Sequence, residues 1–213
     1  MFNIDPMELL LTLPGIIIGF AFHEFSHAFA AVRLGDITPE EQGRLTIAPL
    51  PHVDIIGLLL MMITGGFGWA KPVQIERRNF KNPRQDEIMV ALAGPMMNLA
   101  IAFLFSILLK IFFVTGLLNQ TSQTIAAGIT SITQRIVWIN LVLFTFNLLP
   151  IYPLDGFYLL SSLAHYSNFN RLNRLRYLSR FILIIIIITP AASYIITPIV
   201  TSIYNGLFAL LVL

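Results

Sequence analysis

Residues 9–32 read LLLTLPGIIIGFAFHEFSHAFAAV, long enough at about 1.5 Å per residue to cross the ~30 Å hydrocarbon layer of a bilayer as one helix. Two imidazoles and a carboxylate, His23, His27 and Glu24, interrupt this apolar run. Ionisable groups inside a span are costly and mark function by default. On a helix, His23 and His27 are four residues apart and project from one face, a separation that suits one zinc ion. Glu24 sits beside them, placed to take a proton from an activated water. The bland alternative is a pair of histidines satisfied by hydrogen bonds between two helices.

Composition narrows the class. The chain has 213 residues, of which 56% are hydrophobic and 11% charged, and its mean hydropathy is +0.79. That describes an integral membrane protein. There are no cysteines, so a zinc ion must be held by His, Asp or Glu, and no disulfide framework exists. A net charge of +2 argues against a nucleic-acid partner, since the basic residues gather in loops. Nothing basic precedes the first apolar run, so no cleaved signal peptide is expected.

Four regions read as membrane helices: about 8–32, 85–114, 125–149, and a C-terminal region from about 178. The last runs from Phe181 to the C-terminus and would be about 50 Å as one helix, longer than a span needs. Pro190 and Pro198 allow either a kinked span with an interfacial tail or a tight hairpin. The 33–84 connection carries Arg33, Arg44, Lys71, Arg77, Arg78, Lys81 and Arg84, and 150–180 carries Arg171, Arg174, Arg176 and Arg180, whereas 115–124 has no basic residue. The positive-inside rule makes the first two cytoplasmic and the third external. His23 and His27 then lie about 9–15 Å from the cytoplasmic end of their helix. Arg135 is expected to snorkel to the external interface, the alternative being a partner within the bundle. Residues 43–50 and 69–75 look extended, flanking an apolar piece, 53–64, too short to span. The expected fold is an all-α polytopic membrane protein, a multi-span helical bundle with a small membrane-associated β segment between the first two spans. It forms one domain over 1–213, with a core at about 8–165 and a C-terminal helical region at 178–213.

A catalytic zinc usually takes three protein ligands and leaves one position open. The best third candidate is Asp155, in the run Asn147-Leu-Leu-Pro-Ile-Tyr-Pro-Leu-Asp155-Gly156. Pro150 and Pro153 break the third helix there, and irregular backbone at membrane depth is tolerated only inside protein or beside a wet cavity. The competing reading is that Asp155 merely caps the short helix that follows.

With these motifs the chain resembles the site-2 protease family of intramembrane zinc metalloproteases. The resemblance rests on His23-Glu24-Phe25-Ser26-His27 and on Asn147 to Gly156, which fits the pattern N-x-x-P-x-x-P-x-D-G. Between them lie Gly43-Arg44-Leu45-Thr46, Pro51-His52-Val53-Asp54 and Gly94-Pro95-Met96-Met97-Asn98, in the same style and order. Together they cover about residues 8–165. The resemblance implies His23, His27 and Asp155 as ligands of one zinc ion per chain and Glu24 as the catalytic base. It also implies cleavage of peptide bonds in or near membrane spans, in the manner of regulated intramembrane proteolysis. The chain departs from many relatives in having no room for an inserted PDZ-like domain and no C-terminal regulatory domain.

Other residues fill in the picture. Gly15, Gly19, His23 and His27 form one stripe, expected to pack on helix 85–114, where Ala91, Gly94, Asn98 and Ala102 form another. Asn98 either orients a metal ligand or makes an ordinary interhelical hydrogen bond. Asn147 is placed to stabilise the oxyanion of an attacked carbonyl, the alternative being an amide that ties up a carbonyl freed by Pro150. His52 and Asp54 fit a supporting pair, an entrance gate or plain loop polars. His165 reads as a solvated or capping residue. The segments 43–50 and 69–75 are expected to receive an unwound substrate strand by edge addition. The expectation is therefore a zinc endopeptidase of the cell membrane, multi-pass, with its site facing the cytoplasm, a membrane-protein substrate and the lipid bilayer as partners. The rival from another class is a non-proteolytic membrane metal-binding or transport protein using the same three ligands, which would have no need of Glu24. A proteolytically silent member that binds membrane partners is a further rival, and its usual sign, loss of a ligand or base, is missing here.

Overall fold

The computed structural model describes residues 6–64, 69–164 and 169–211. Helix α1 (Pro6–Arg33) holds the first apolar run. It leads into a short turn of helix, α2 (Thr38–Glu41), and a ten-residue helix, α3 (Ile55–Thr64). The long helix α4 (Pro83–Thr115) ends where Gly116 takes φ +61, a left-handed stop that glycine accepts without a Cβ penalty. Helix α5 (Gln123–Asn147) starts with Ser122 Oγ accepting from the Ile125 N–H and stops before Pro150. A nine-residue helix, α6 (Asp155–Leu163), follows the break. Then come α7 (Phe169–Ile188) and α8 (Ala191–Leu211), parted at Thr189–Pro190.

Among the described residues, four helices are long and apolar enough to cross a bilayer: Met7–Arg33, Pro83–Thr115, Gln123–Asn147 and Ala191–Leu210. They match the four expected regions. In the C-terminal region Pro190 divides the apolar stretch, and Pro198 stays inside α8. The polar, basic start of α7 leaves α8 as the fourth candidate span.

Helices α1, α4 and α5 pack on one another, α6 lies against α4, and α8 leans on α5 and α4. The core shared by α4, α5 and α8 includes Ala102, Leu109, Val137, Leu141, Ile196 and Val200. Large side chains such as Leu104, Phe113 and Val114 on α4 face outward, as lipid-facing positions do.

The small β segment does not form. Among the described residues there is no sheet, only an isolated antiparallel bridge between Val53 and Ala70. Residues 43–50 are turns and irregular chain, and 69–75 forms no strand, its pairing limited to Ala70 in that bridge and the Lys71 N–H donating to His52 O. Prolines explain this: Pro49, Pro51 and Pro72 each lack the N–H that a ladder would use. The connection is held instead by side chains. The fully buried Asp36 accepts from the Glu76 N–H (2.7 Å), Thr38 Oγ1 (2.6 Å) and Asn79 Nδ2 (2.9 Å). Arg44 donates to Pro51 O.

Arg135 is partnered rather than merely snorkelling. Its guanidinium donates to Glu8 Oε1 and to Thr12 Oγ1, each at 3.2 Å, near the start of α1.

Candidate metal centre

Asp155 is carried to the histidines by the helix break. It is the first residue of α6 and makes no cap, the N-cap position belonging to Leu154. At Gly156 the backbone of α6 runs so close to Leu148 and Leu149 that a Cβ would collide with their main-chain atoms. Glycine is therefore what lets α6 start here. Its far end is fixed by Arg84, which donates to Ser162 O (2.6 Å) and Leu163 O (2.8 Å). Ser162 Oγ donates in turn to Glu87, which pairs with Arg77 at 3.3 Å. On the other side, Arg176 and Arg180 of α7 stand 5.1 and 4.9 Å from the Tyr152 ring centroid, bracing the turn that precedes Asp155.

Three side chains converge. His23 Nε2 and His27 Nε2 are 3.0 Å apart, and Asp155 Oδ2 lies 3.2 and 3.3 Å from them. Both histidines are buried. Their other ring nitrogens are engaged, His23 Nδ1 with Asn98 Oδ1 at 2.6 Å and His27 Nδ1 with Val90 O at 2.8 Å. A carbonyl oxygen can only accept, so each Nδ1 carries a proton, and in the neutral ring Nε2 then presents a lone pair. Two lone pairs thus meet a buried carboxylate oxygen that has no hydrogen-bond partner. Such a set is repulsive until a cation stands among its members. Zinc bonds of roughly 2.0–2.1 Å at tetrahedral angles put ligand atoms about 3.3 Å apart, close to the spacing here. The residues fit zinc by atom type, protonation and distance.

Gly94 of α4 lies against this cluster. A Cβ there would collide with His27 Nε2 and stand 2.6 and 2.7 Å from His23 Cε1 and Nε2. The two stripes of small residues therefore meet in part as expected. The histidines face Gly94 of α4, whereas Gly15 and Gly19 turn to α5, where added Cβ atoms would approach Ile136 Cα at 3.1 Å and Leu143 Cδ1 at 2.6 Å.

Glu24 is buried beside the histidines, and its Oε2 accepts from the Val73 N–H at 2.9 Å. The 69–75 segment thus reaches the carboxylate through its backbone. Asn98 is fully buried and touches His23 directly. Asn147 ends α5 with its Nδ2 turned onto Leu143 O at 3.0 Å, a carbonyl of its own helix and not one freed by Pro150. His52 and Asp54 are apart from the cluster's hydrogen bonds. His52 Nε2 bonds Thr46 O at 2.7 Å, and Asp54 Oδ1 takes the Gly57 N–H at 2.8 Å at the start of α3. His165 lies outside the described residues. Sequence reasoning missed Asn140, which contacts Asn98, and the Arg84–Glu87–Ser162 set. A lone amide inside an apolar span was the available signal for Asn140.

Residues 113–189 match peptidase family M50. A Bacillus subtilis (strain 168) protein named "Putative zinc metalloprotease YwhC" is 36% identical over 197 residues, covering 91% of this chain and 86% of that one. The chain belongs to peptidase family M50. It is a zinc metalloprotease of the site-2 type and a multi-pass membrane protein. Two further relatives carry similar names. "Putative zinc metalloprotease Rip2" of Mycolicibacterium smegmatis is 30% identical over 85% of this chain and 68% of its own length. "Putative zinc metalloprotease MJ0611" of Methanocaldococcus jannaschii is 31% identical over 72% of this chain and 71% of its own. No solved structure gives a significant match.

Proposed function

We propose that this M50 peptidase hydrolyses peptide bonds within or next to membrane spans of other membrane proteins, from a site that opens toward the cytoplasm. One observation carries the reading: the His23, His27 and Asp155 ligand atoms converge on a helix long and apolar enough to span a bilayer. His23, His27 and Asp155 would hold the zinc. When bound, zinc supplies Lewis-acid polarisation of the scissile carbonyl and makes a water more acidic.

The protein's own groups account for the remaining steps. Glu24 accepts the proton of the attacking water and delivers it to the leaving amine nitrogen, so the peptide C–N bond breaks with its proton count balanced. The Val73 N–H holds one carboxylate oxygen of Glu24, which leaves the other for the water. Asn147 is the candidate donor to the developing oxyanion, after its amide rotates off Leu143 O. Burial of the cluster among α1, α4 and α6 limits access to bulk water. A substrate helix hides its carbonyls in internal hydrogen bonds and must unwind before attack. A cell-membrane setting belongs to the same proposal on the strength of the span pattern and the basic loops, and the regulated form of the reaction on the likeness to site-2 proteases. A metal carrier using the same ligands would have no use for Glu24.

The test is a membrane reporter with a cleavable span, co-reconstituted with purified protein, alongside zinc analysis. His23→Ala, His27→Ala and Asp155→Ala each lose most of one zinc per chain, while Glu24→Gln keeps the metal and loses cleavage. Full zinc content in Asp155→Ala removes that residue from the site. Near-native cleavage by Glu24→Gln assigns the proton to another acceptor.

A further inference from the structure

Asn98 is joined to a second fully buried amide, Asn140 in the middle of α5. Asn140 Nδ2 donates to Ile136 O at 2.9 Å, a main-chain carbonyl that can only accept. Its Oδ1 is thereby turned toward Asn98, whose Nδ2 donates to it at 2.9 Å and to Gly19 O of α1 at 3.1 Å. With its amino group used in both directions, Asn98 presents only Oδ1 to His23 Nδ1, at 2.6 Å. The chain of bonds runs Ile136 O, Asn140, Asn98, His23, and each link has one permitted polarity. A reversed Asn98 would set its oxygen against Gly19 O and Asn140 Oδ1 and its amino group against a ring N–H.

We propose that Asn140 is a positioning residue for the metal centre. Through Asn98 it fixes which nitrogen of His23 carries the proton and so keeps Nε2 free as a ligand. The burial of both amides is the second support. In an apolar bundle an unmade amide bond has no water to turn to, so the relay is held to one arrangement. The two amides also tie α4 to α5 and, through Gly19 O, to α1, the three helices that pack on one another. This rests on the zinc reading of His23, His27 and Asp155.

The experiment measures zinc affinity of detergent-solubilised protein by competition with a chromogenic chelator, which needs no substrate. Four proteins form a cycle: native, Asn98→Leu, Asn140→Leu and the double variant. Asn98→Leu is expected to weaken zinc binding about ten- to a hundred-fold, and Asn140→Leu about tenfold. Because Asn140 acts through Asn98, the double variant should bind no more weakly than Asn98→Leu alone. Native affinity in Asn140→Leu, or losses that multiply in the double variant, overturns the proposal. Should Asn140→Leu fail to fold, Asn140→Asp serves instead, since as a neutral acid it donates to Ile136 O and accepts from Asn98. Near-native affinity in that variant supports the relay, and a loss as large as that of Asn98→Leu sinks it. His23→Ala separates the two readings. If it leaves zinc binding unchanged, the site assignment fails and takes the relay with it. If it abolishes binding, the cycle alone decides the role of Asn140.

Discussion

Single side chains hold together the parts of this protein that regular structure does not. Asp36 is the clearest case, a fully buried carboxylate that ties the start of α2 to the stretch entering α4. Burial alone raises its carboxyl group's pKa. The hydrogen bonds from Thr38 Oγ1, Asn79 Nδ2 and the Glu76 and Thr38 N–H groups outweigh that and hold it below the ordinary aspartate value. A folded-state value below the unfolded one stabilises the fold above the unfolded pKa of about 3.9, and the contribution disappears as pH falls through the folded value. Thermal unfolding in detergent should therefore show Asp36→Asn less stable than native by about 2–3 kcal/mol near neutral pH. The gap should close below about pH 4. A gap that is constant from pH 7 to pH 3 would mean the ionised carboxylate contributes nothing. His23, Glu24, His27 and Asp155 were legible because each sits in a short motif whose spacing is set by local helix or turn geometry. Asn140 was not, since its partner Asn98 is on another helix and nothing in local spacing links them.

At the scale of elements, α6 decides whether the proposed ligand set is complete, because it carries Asp155. Its start depends on Gly156 passing the Leu148 and Leu149 backbone, and its end on Arg84. Gly156→Ala forces that contact apart at a cost of about 1–3 kcal/mol and displaces the carboxylate next to it. The expected result is zinc binding weakened at least tenfold in a protein that still folds, with the histidine ligands intact. Unchanged zinc affinity in Gly156→Ala would show that Asp155 is positioned by something other than this close approach. Helical spans were readable because length and apolarity suffice to define them. The expected β segment fails because prolines interrupt both of its halves. Pro49, Pro51 and Pro72 remove the ladder donors, and buried side chains such as Asp36 and Arg44 take over the work of pairing. Which helix would face each stripe was equally hidden. Gly15 and Gly19 met α5, while Gly94 met the histidines, because small-residue spacing marks a contact face without naming its partner.

For the whole molecule the open question is which way the bundle sits. The basic residues of the 33–84 connection and of α7 lie at the end of the bundle where α1 finishes and α4 starts, and the turn between α4 and α5 lies at the other. Positive-inside placement puts Arg33 and Arg78 in the cytoplasm and Gln120 outside. On that placement the cytoplasmic end of α1 would stand about 9 Å from His27 and about 15 Å from His23. The chain has no cysteine, so one can be introduced at a time as a reporter. Arg78 carries an 80% exposed side chain, and Gln120 is exposed in the turn after α4, so neither substitution disturbs the core. In intact cells, Gln120→Cys should react with a membrane-impermeant maleimide, whereas Arg78→Cys should react only after the membrane is opened. Zinc content of both variants should equal that of the native protein, which shows that labelling reads the native arrangement. The opposite labelling pattern would turn the proposed metal centre toward the external face. It would transfer the proposed cleavage to the outer side of the substrate span while leaving the ligand geometry as it is.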